Sequence, residues 1–269
     1  IANGISGIIV CGLAGEATSL TWAERRAVVG AAVVAAAGQV PVLVGTGTNS
    51  TETTRANTIA ARELGANAAI IVTPYYNKPS QKGLIRHFEA VTSVVDIPII
   101  VCNAPGLTAS DVAFDTFERL AALPGIVGVE DCTGDLSRLS LLPRPAKSRL
   151  RQYSGDDRTC LPFNLMGGSG TFSMVANITP RLISSLHDAL RLGDLRSAHS
   201  LHVRLEPVFD LLKRDTPTAV IKRALQALHG LNADTRLPLT PVDVATAQAI
   251  EDLLQTLPRN IGLPASLSA

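Results

Sequence analysis

Short, uninterrupted apolar runs alternate with longer amphipathic stretches over most of this chain. The runs are Ile8–Cys11, Pro41–Val44, Ala68–Val72, Pro98–Cys102, Ile126–Val129, Leu150–Tyr153 and Gly170–Ser173. They lack a clean period of two, as strands covered on both faces should. Helix signals fall between them. Thr21-Trp22-Ala23-Glu24 is a capping-box pattern that opens an Ala/Val-rich helix to Ala37. Further helices are expected from about Thr51, Ser80 and Ser110. Strands followed by helices at this spacing predict a parallel α/β fold. Beyond Thr179-Pro180 the pattern is helical throughout, with segments near 180–192, 194–214, 217–229 and 241–256.

Seven strands are one short of the eight that close a (β/α)8 barrel. Ile1-Ala2-Asn3-Gly4 reads like a helix end followed by a turn. A leading βα element of roughly 30 residues is therefore expected either to precede Ile1 or to be absent. The pattern suggests a barrel over 1–215, a helical domain over 216–258 and an aperiodic tail over 259–269.

At 269 residues, 46% of them hydrophobic and 17% charged, the chain can bury a large single core. A formal charge of +1, no basic block and 4% aromatic residues argue against nucleic-acid and membrane-surface partners. No apolar run approaches the roughly 18 residues of a membrane span. The first residues lack the charged and apolar regions of a signal peptide, and Cys11, Cys102, Cys132 and Cys160 show no C-x-x-C spacing. A reducing, cytoplasmic setting is expected.

Candidate chemistry gathers at Ile126–Gly134, a strand that runs into Glu130, Asp131 and a glycine turn. Consecutive strand residues point to opposite faces, so at most one of the two acids faces the interior. Three readings stand beside one another. The acids are a general acid/base pair; or they join Asp156 and Asp157 around a divalent metal; or Glu130 is a buried, neutral, hydrogen-bonded acid. The five histidines all fall on predicted helices and none lies near these loops, so no metal is expected. Cys11, Cys102 and Cys132 lie at or just past strand ends, where thiols can gather for a soft metal or act as nucleophiles; buried inert cysteine is the commoner outcome. Gly45-Thr46-Gly47 lacks the third glycine of a dinucleotide loop, and Gly167–Gly170 precedes its strand, so no cofactor is expected.

Several stretches carry a resemblance. Gly12-Leu13-Ala14-Gly15-Glu16 is similar to a Gly-Thr-Thr-Gly-Glu loop, Val44–Gly47 with Asn49 to a Gly-Thr-Gly turn, and Val72–Pro79 to a Thr-Pro-Tyr-Tyr signature. Asn103-Ala104-Pro105 is similar to a Tyr-Asn-x-Pro strand end, Ser154–Asp157 to the loop after the next strand, and Gly167–Gly170 with Ser173, Ala176 and Asn177 to an eighth-strand region. From Gly7 to about Leu254 the chain resembles the dihydrodipicolinate synthase/N-acetylneuraminate lyase family, class I aldolases of pyruvate and other 2-oxo acids. The resemblance implies a (β/α)8 TIM barrel with a C-terminal helical domain, assembled as homodimers or homotetramers, that takes a small 2-oxo acid or aldehyde.

It also implies a Schiff-base lysine at position 130, because a protonated imine is the electron sink for the neighbouring carbanion. Here that residue is Glu130. Leu13 and Ala14 replace the hydroxyls that would hold the substrate carboxylate, Cys102 the proton-shuttling tyrosine, and Leu107 the arginine at the mouth. Tyr76 persists; in relatives its counterpart reaches across a subunit interface. Glu16, Asn103, Thr133 and Gly155 persist as well, and Phe172 falls in the eighth-strand region. None of Lys78, Lys82, Lys147, Lys213 and Lys222 is expected inside the barrel mouth.

The candidate catalytic residues are thus Glu130 and Tyr76, with Leu13, Ala14, Cys102, Asn103, Leu107, Gly155 and Phe172 as candidate binding residues. The leading expectation is a synthase-like protein that has lost Schiff-base chemistry and is inactive or binds another ligand. A lyase or hydratase using Glu130 and Tyr76, and a non-catalytic partner of an active homologue, are the competing readings.

Overall fold

The computed structural model describes residues 1–257, so the expected tail at 259–269 lies outside the described residues. The chain divides into two compact units. The larger comprises Gly7–Gly12 and Thr21–Phe172. The smaller comprises Ile1–Ser6, Leu13–Leu20 and the described residues from Ser173 onward.

In the larger unit the apolar runs become seven strands: β1 (Ile8–Val10), β2 (Val42–Gly45), β3 (Ala68–Val72), β4 (Ile99–Asn103), β5 (Ile126–Asp131), β6 (Arg151–Ser154) and β7 (Gly170–Thr171). They are all parallel, in sequence order, in one sheet curled into a half-barrel with helices around it. The helices are α1 (Trp22–Ala36), α2 (Thr51–Glu63), α3 (Gln81–Thr92), α4 (Pro105–Thr108), α5 (Phe114–Ala121), α6 (Ser137–Leu141), α7 (Arg144–Arg149) and α8 (Cys160–Leu165). The capping box on α1 forms: the Glu24 amide donates to Thr21 Oγ1 at 3.3 Å and the Thr21 amide donates to Glu24 Oε2 at 2.8 Å. Ser50 and Ser80 accept from the Thr53 and Gly83 amides and start α2 and α3.

In this unit the limits of α5 and β5 depart from expectation for visible reasons. Helix α5 begins at Phe114 rather than near Ser110, because the Val112 amide donates to Asn103 Oδ1 at 3.0 Å and the Ser110 carbonyl accepts from Thr73 and Thr108 hydroxyls. Strand β5 runs past Val129 through Asp131, because Glu130 and Asp131 pair in register with Tyr153 and Ser154. The short helices α6, α7 and α8 span too few residues to write a 3.6-residue period into the sequence.

Each face of the sheet carries its own apolar layer. On the outer face Ala69, Ile71, Ile99, Val101, Ile126 and Val129 pack with Leu84, Phe88 and Val91 of α3 and Phe117 and Leu120 of α5. Each of the large side chains buried there contributes about 1.5–3 kcal/mol. On the inner face Leu43, Ile70, Ile100, Cys102 and Ala104 cluster with Val72, Cys132, Tyr153 and Phe172.

The smaller unit holds α9 (Pro180–Arg191), α10 (Leu195–Leu211), α11 (Pro217–His229) and α12 (Val244–Thr256). Helix α9 packs on α10, and α11 on α12, around buried Leu186, Leu205, Val220 and Ile250. Helix α12 starts later than position 241 because Asp243 caps it, accepting from the Thr246 amide at 2.7 Å. Glu16 is tied into this unit by Lys222 at 2.6 Å and by the Arg236 amide at 3.0 Å. Burial raises the Glu16 pKa, but these partners outweigh it and the net direction is down. No helix among the described residues is long and apolar enough to cross a membrane.

Candidate active site

One register row crosses the sheet through Val72, Cys102, Glu130, Tyr153 and Gly170. Residues in one row share a face, so Glu130 lies on the inner face with Cys102, and Asp131 lies on the outer face. Cys132, just past the end of β5, returns to the inner side. Its Sγ lies 3.9 Å from Cys102 Sγ, and a carboxylate oxygen of Glu130 lies within 4.8 Å of both sulfurs.

The cluster closes over Gly155. A Cβ at that position would stand 2.3 Å from Cys132 Sγ and 3.1 Å from Glu130 Oε1, so only glycine leaves room for both. Beside it the Tyr153 ring stacks on Phe172, with centroids 4.6 Å apart and planes 16° off parallel. Burial raises the Glu130 pKa; hydrogen bonds from the two thiols oppose this and neighbouring Asp131 adds to the rise. The Cys102 thiol is held well above its usual range, first by its hydrogen bond to Cys132, then by burial and by the Glu130 charge. Cys132 is also raised: its bond to Cys102 pulls it down, but burial and Glu130 prevail.

The outer face of the same strand ends carries a network of ion pairs and hydrogen bonds. Arg138 Nε donates to Asp131 Oδ2 at 2.9 Å, and its two terminal nitrogens donate to Asp111 Oδ2 and Oδ1 at 3.1 and 3.0 Å. Asn103, fully buried, gives its side-chain amide to Asp111 Oδ1 at 2.9 Å and accepts from the Val112 amide. Asn103 therefore shapes the loop after β4 on the face opposite Glu130. Thr133 donates twice to Asp131 Oδ1.

The structure thus gathers Glu130, Cys102, Gly155 and Phe172 at one end of the inner face. Tyr76 does not join them: it is 90% exposed, with a backbone φ of 73°. Leu107, on α4, is 64% exposed. Leu13 and Ala14 belong to the smaller unit, where the Leu13 carbonyl accepts from the Thr218 hydroxyl at 3.2 Å. Asp156 accepts from the Arg158 amide at 3.0 Å and starts a short helical turn, so the acid grouping of Glu130 and Asp131 with Asp156 and Asp157 is not assembled. Cys11 lines a separate pocket with Trp22, Arg25 and Val29, and the Cys160 thiol is pushed up to about 12 chiefly by burial.

Sequence reasoning missed Tyr153 as an inner-face residue and Arg138 as the cation that claims Asp131. Tyr153 was findable, since it ends the run that follows β5; Arg138 was not, because its reach depends on the path of a loop.

Residues 1–257 match the profile of the Dihydrodipicolinate synthetase family. The 4-hydroxy-tetrahydrodipicolinate synthase of Sphingopyxis alaskensis is 38% identical over 255 residues, covering 94% of this chain and 88% of that protein. Its counterpart from Thermomicrobium roseum is 40% identical over 263 residues, covering 98% and 87%. The crystal structure of the chloride-inhibited dihydrodipicolinate synthase from Acinetobacter baumannii complexed with pyruvate superposes with a TM-score of 0.91 at 35% identity, covering 94% of this chain and 87% of that one. The Aquifex aeolicus dihydrodipicolinate synthase gives 0.92 at 36% identity, covering 97% and 88%. The seven-stranded β/α sheet, the helices that follow it and the family-like stretches at its strand ends therefore have one source: this chain belongs to the dihydrodipicolinate synthetase family.

Proposed function

We propose that this chain is a dihydrodipicolinate synthase-like protein in which imine catalysis has been lost and the inner face serves another ligand or another chemistry. The observation that carries this reading is the inner-face row: the side chain presented at the end of β5 is the carboxylate of Glu130, set between two thiols. A carboxylate has no amine to condense with a ketone. None of the five lysines lies on a strand. Lys147 donates to the Ser140 carbonyl at 2.9 Å and Lys222 pairs with Glu16.

The ligand class that suits this lining is a small carbonyl compound, a 2-oxo acid or an aldehyde, as the pyruvate complex of the Acinetobacter relative suggests. An acid/base role for Glu130 is a second reading, favoured by its raised pKa, which keeps a carboxylic proton available for donation at higher pH than usual. Tyr76 belongs to that reading across a subunit interface of a homodimer or homotetramer, where its exposed ring contacts a second copy. Four cysteines outside any disulfide among the described residues suit a reducing, cytoplasmic setting.

The test is borohydride trapping with pyruvate and a panel of 2-oxo acids, read by intact mass and peptide mapping. The expected result is no adduct beside a lysine-bearing relative that traps fully. A stoichiometric adduct on any lysine of this chain overturns the reading.

A further inference from the structure

Cys102, Glu130 and Cys132 approach one another from two adjacent strand ends with no basic side chain paired to them among the described residues. Their polar atoms, one carboxylate oxygen and two sulfurs, converge within 4.8 Å of one another. We propose that these three side chains form a binding site for a thiophilic divalent cation, zinc above all, with its remaining coordination position open to water or a carbonyl ligand.

Geometry supports this first. Two thiolates on one tetrahedral zinc, each at about 2.3 Å, subtend a sulfur–sulfur distance of roughly 3.8 Å. The observed Cys102–Cys132 separation is 3.9 Å. A carboxylate oxygen on the same ion stands roughly 3.6 Å from each sulfur. The three donor atoms already lie within 4.8 Å of one another, so the carboxylate oxygen has at most roughly 1.2 Å to close. A disulfide, by contrast, needs the sulfurs to close to about 2.05 Å and needs an oxidant.

Gly155 is the second support. Its missing Cβ leaves the space in which Cys132 Sγ and the Glu130 carboxylate sit, so the backbone is shaped around two of the three donors. Charge is the third. Three groups that are anionic when deprotonated face one another in an apolar wall of Ile100, Ala104, Tyr153 and Phe172, where a divalent cation neutralises what otherwise repels. On binding, both thiol protons and any carboxylic proton on Glu130 leave to solvent, so the filled site carries a net charge of −1. Two sulfur donors select against magnesium and calcium. Three protein donors are the number found where zinc keeps a position for substrate, and an ion there would polarise a carbonyl oxygen as a Lewis acid.

This inference goes beyond the loss of imine chemistry and does not rest on it, since trapping reads lysines and cation uptake reads thiolates. The experiment uses the full chain, stripped with a chelator, reduced with a phosphine, and titrated with Co2+ as a spectroscopic probe. The expected result is one Co2+ per chain by native mass, with a near-ultraviolet sulfur-to-cobalt charge-transfer band that Zn2+ abolishes and Mg2+ leaves alone. Cys102→Ser and Cys132→Ser each weaken uptake by at least about tenfold and diminish the band. Glu130→Gln weakens uptake while keeping the band, and Cys11→Ser changes neither. The proposal is overturned if the folded, reduced wild-type chain takes up no stoichiometric Co2+, if the band survives both serine variants, or if the two thiols are recovered only as a disulfide. Circular dichroism checks each variant, and the wild-type titration decides the matter where a variant does not fold.

Discussion

Glu130 and Asp131 are neighbours in sequence with the same functional group, and they live in opposite electrostatic worlds. Asp131, on the helix side, meets the fork of Arg138, which also clasps Asp111, and it accepts two further bonds from Thr133. Glu130, on the inner side, has thiols for neighbours and no cation among the described residues. The alternation of a strand sends consecutive carboxylates to different faces, and the surroundings then make one a fixed structural ion and the other a group in need of a partner. In a family defined by chemistry inside its barrel, the inner side is where a change of residue changes function. The outer side is where it changes stability.

The contrast is broken most severely by Arg138→Met. This leaves Asp131 and Asp111 without their shared cation, and Asp131 is only 15% exposed. A loss of about 4 kcal/mol is expected, measured by denaturant unfolding. Acid comes next, and it too acts on the helix side. Burial holds His87 neutral with a pKa of about 4 against an ordinary 6.5, beside the Thr51 hydroxyl at 2.9 Å. As pH falls below 6.5 the unfolded chain takes up a proton that the folded chain refuses, so stability declines across the window from 6.5 to 4. The decline reaches about 3 kcal/mol at the acid end, and His87→Gln flattens it.

On the inner side Gly155→Ala forces a methyl group against Cys132 and Glu130 and costs about 2 kcal/mol. The smallest effect sharpens the comparison most. Glu130→Gln changes stability by less than about 1 kcal/mol in the cation-free chain, since no ion pair is lost, whereas Asp131→Asn costs about 1–2 kcal/mol. Equal costs for these two substitutions would show that the faces do not differ as described.

The elements were largely legible because buried parallel strands write themselves as contiguous apolar runs; Ala68–Val72 is read and observed with the same limits. That only one of Glu130 and Asp131 turns inward was also legible, from the two-residue period alone. The approach of Cys102 to Cys132 was half legible: both lie at strand ends, but Cys11 does too, and it faces another pocket. What fixes the site beyond that is not periodic. The steric demand on Gly155 depends on how closely one loop passes another strand's side chains. The ion pair of Asp131 depends on a helix of five residues after a turn, too short to announce itself. Local pattern encodes which way a side chain points, and three-dimensional proximity across loops decides what it meets.

The strand order carries a consequence for assembly. Because each strand pairs with the one that follows it in the chain, every step of sheet growth joins segments separated by a single intervening stretch, and the contact order stays low for so large a parallel sheet. A chain emerging from the ribosome can therefore add one βα unit at a time to a sheet already in place. Under that order Cys102 is set before Glu130, Gly155 follows with β6 and Phe172 with β7, so the inner-face cluster is completed only when the seventh strand docks.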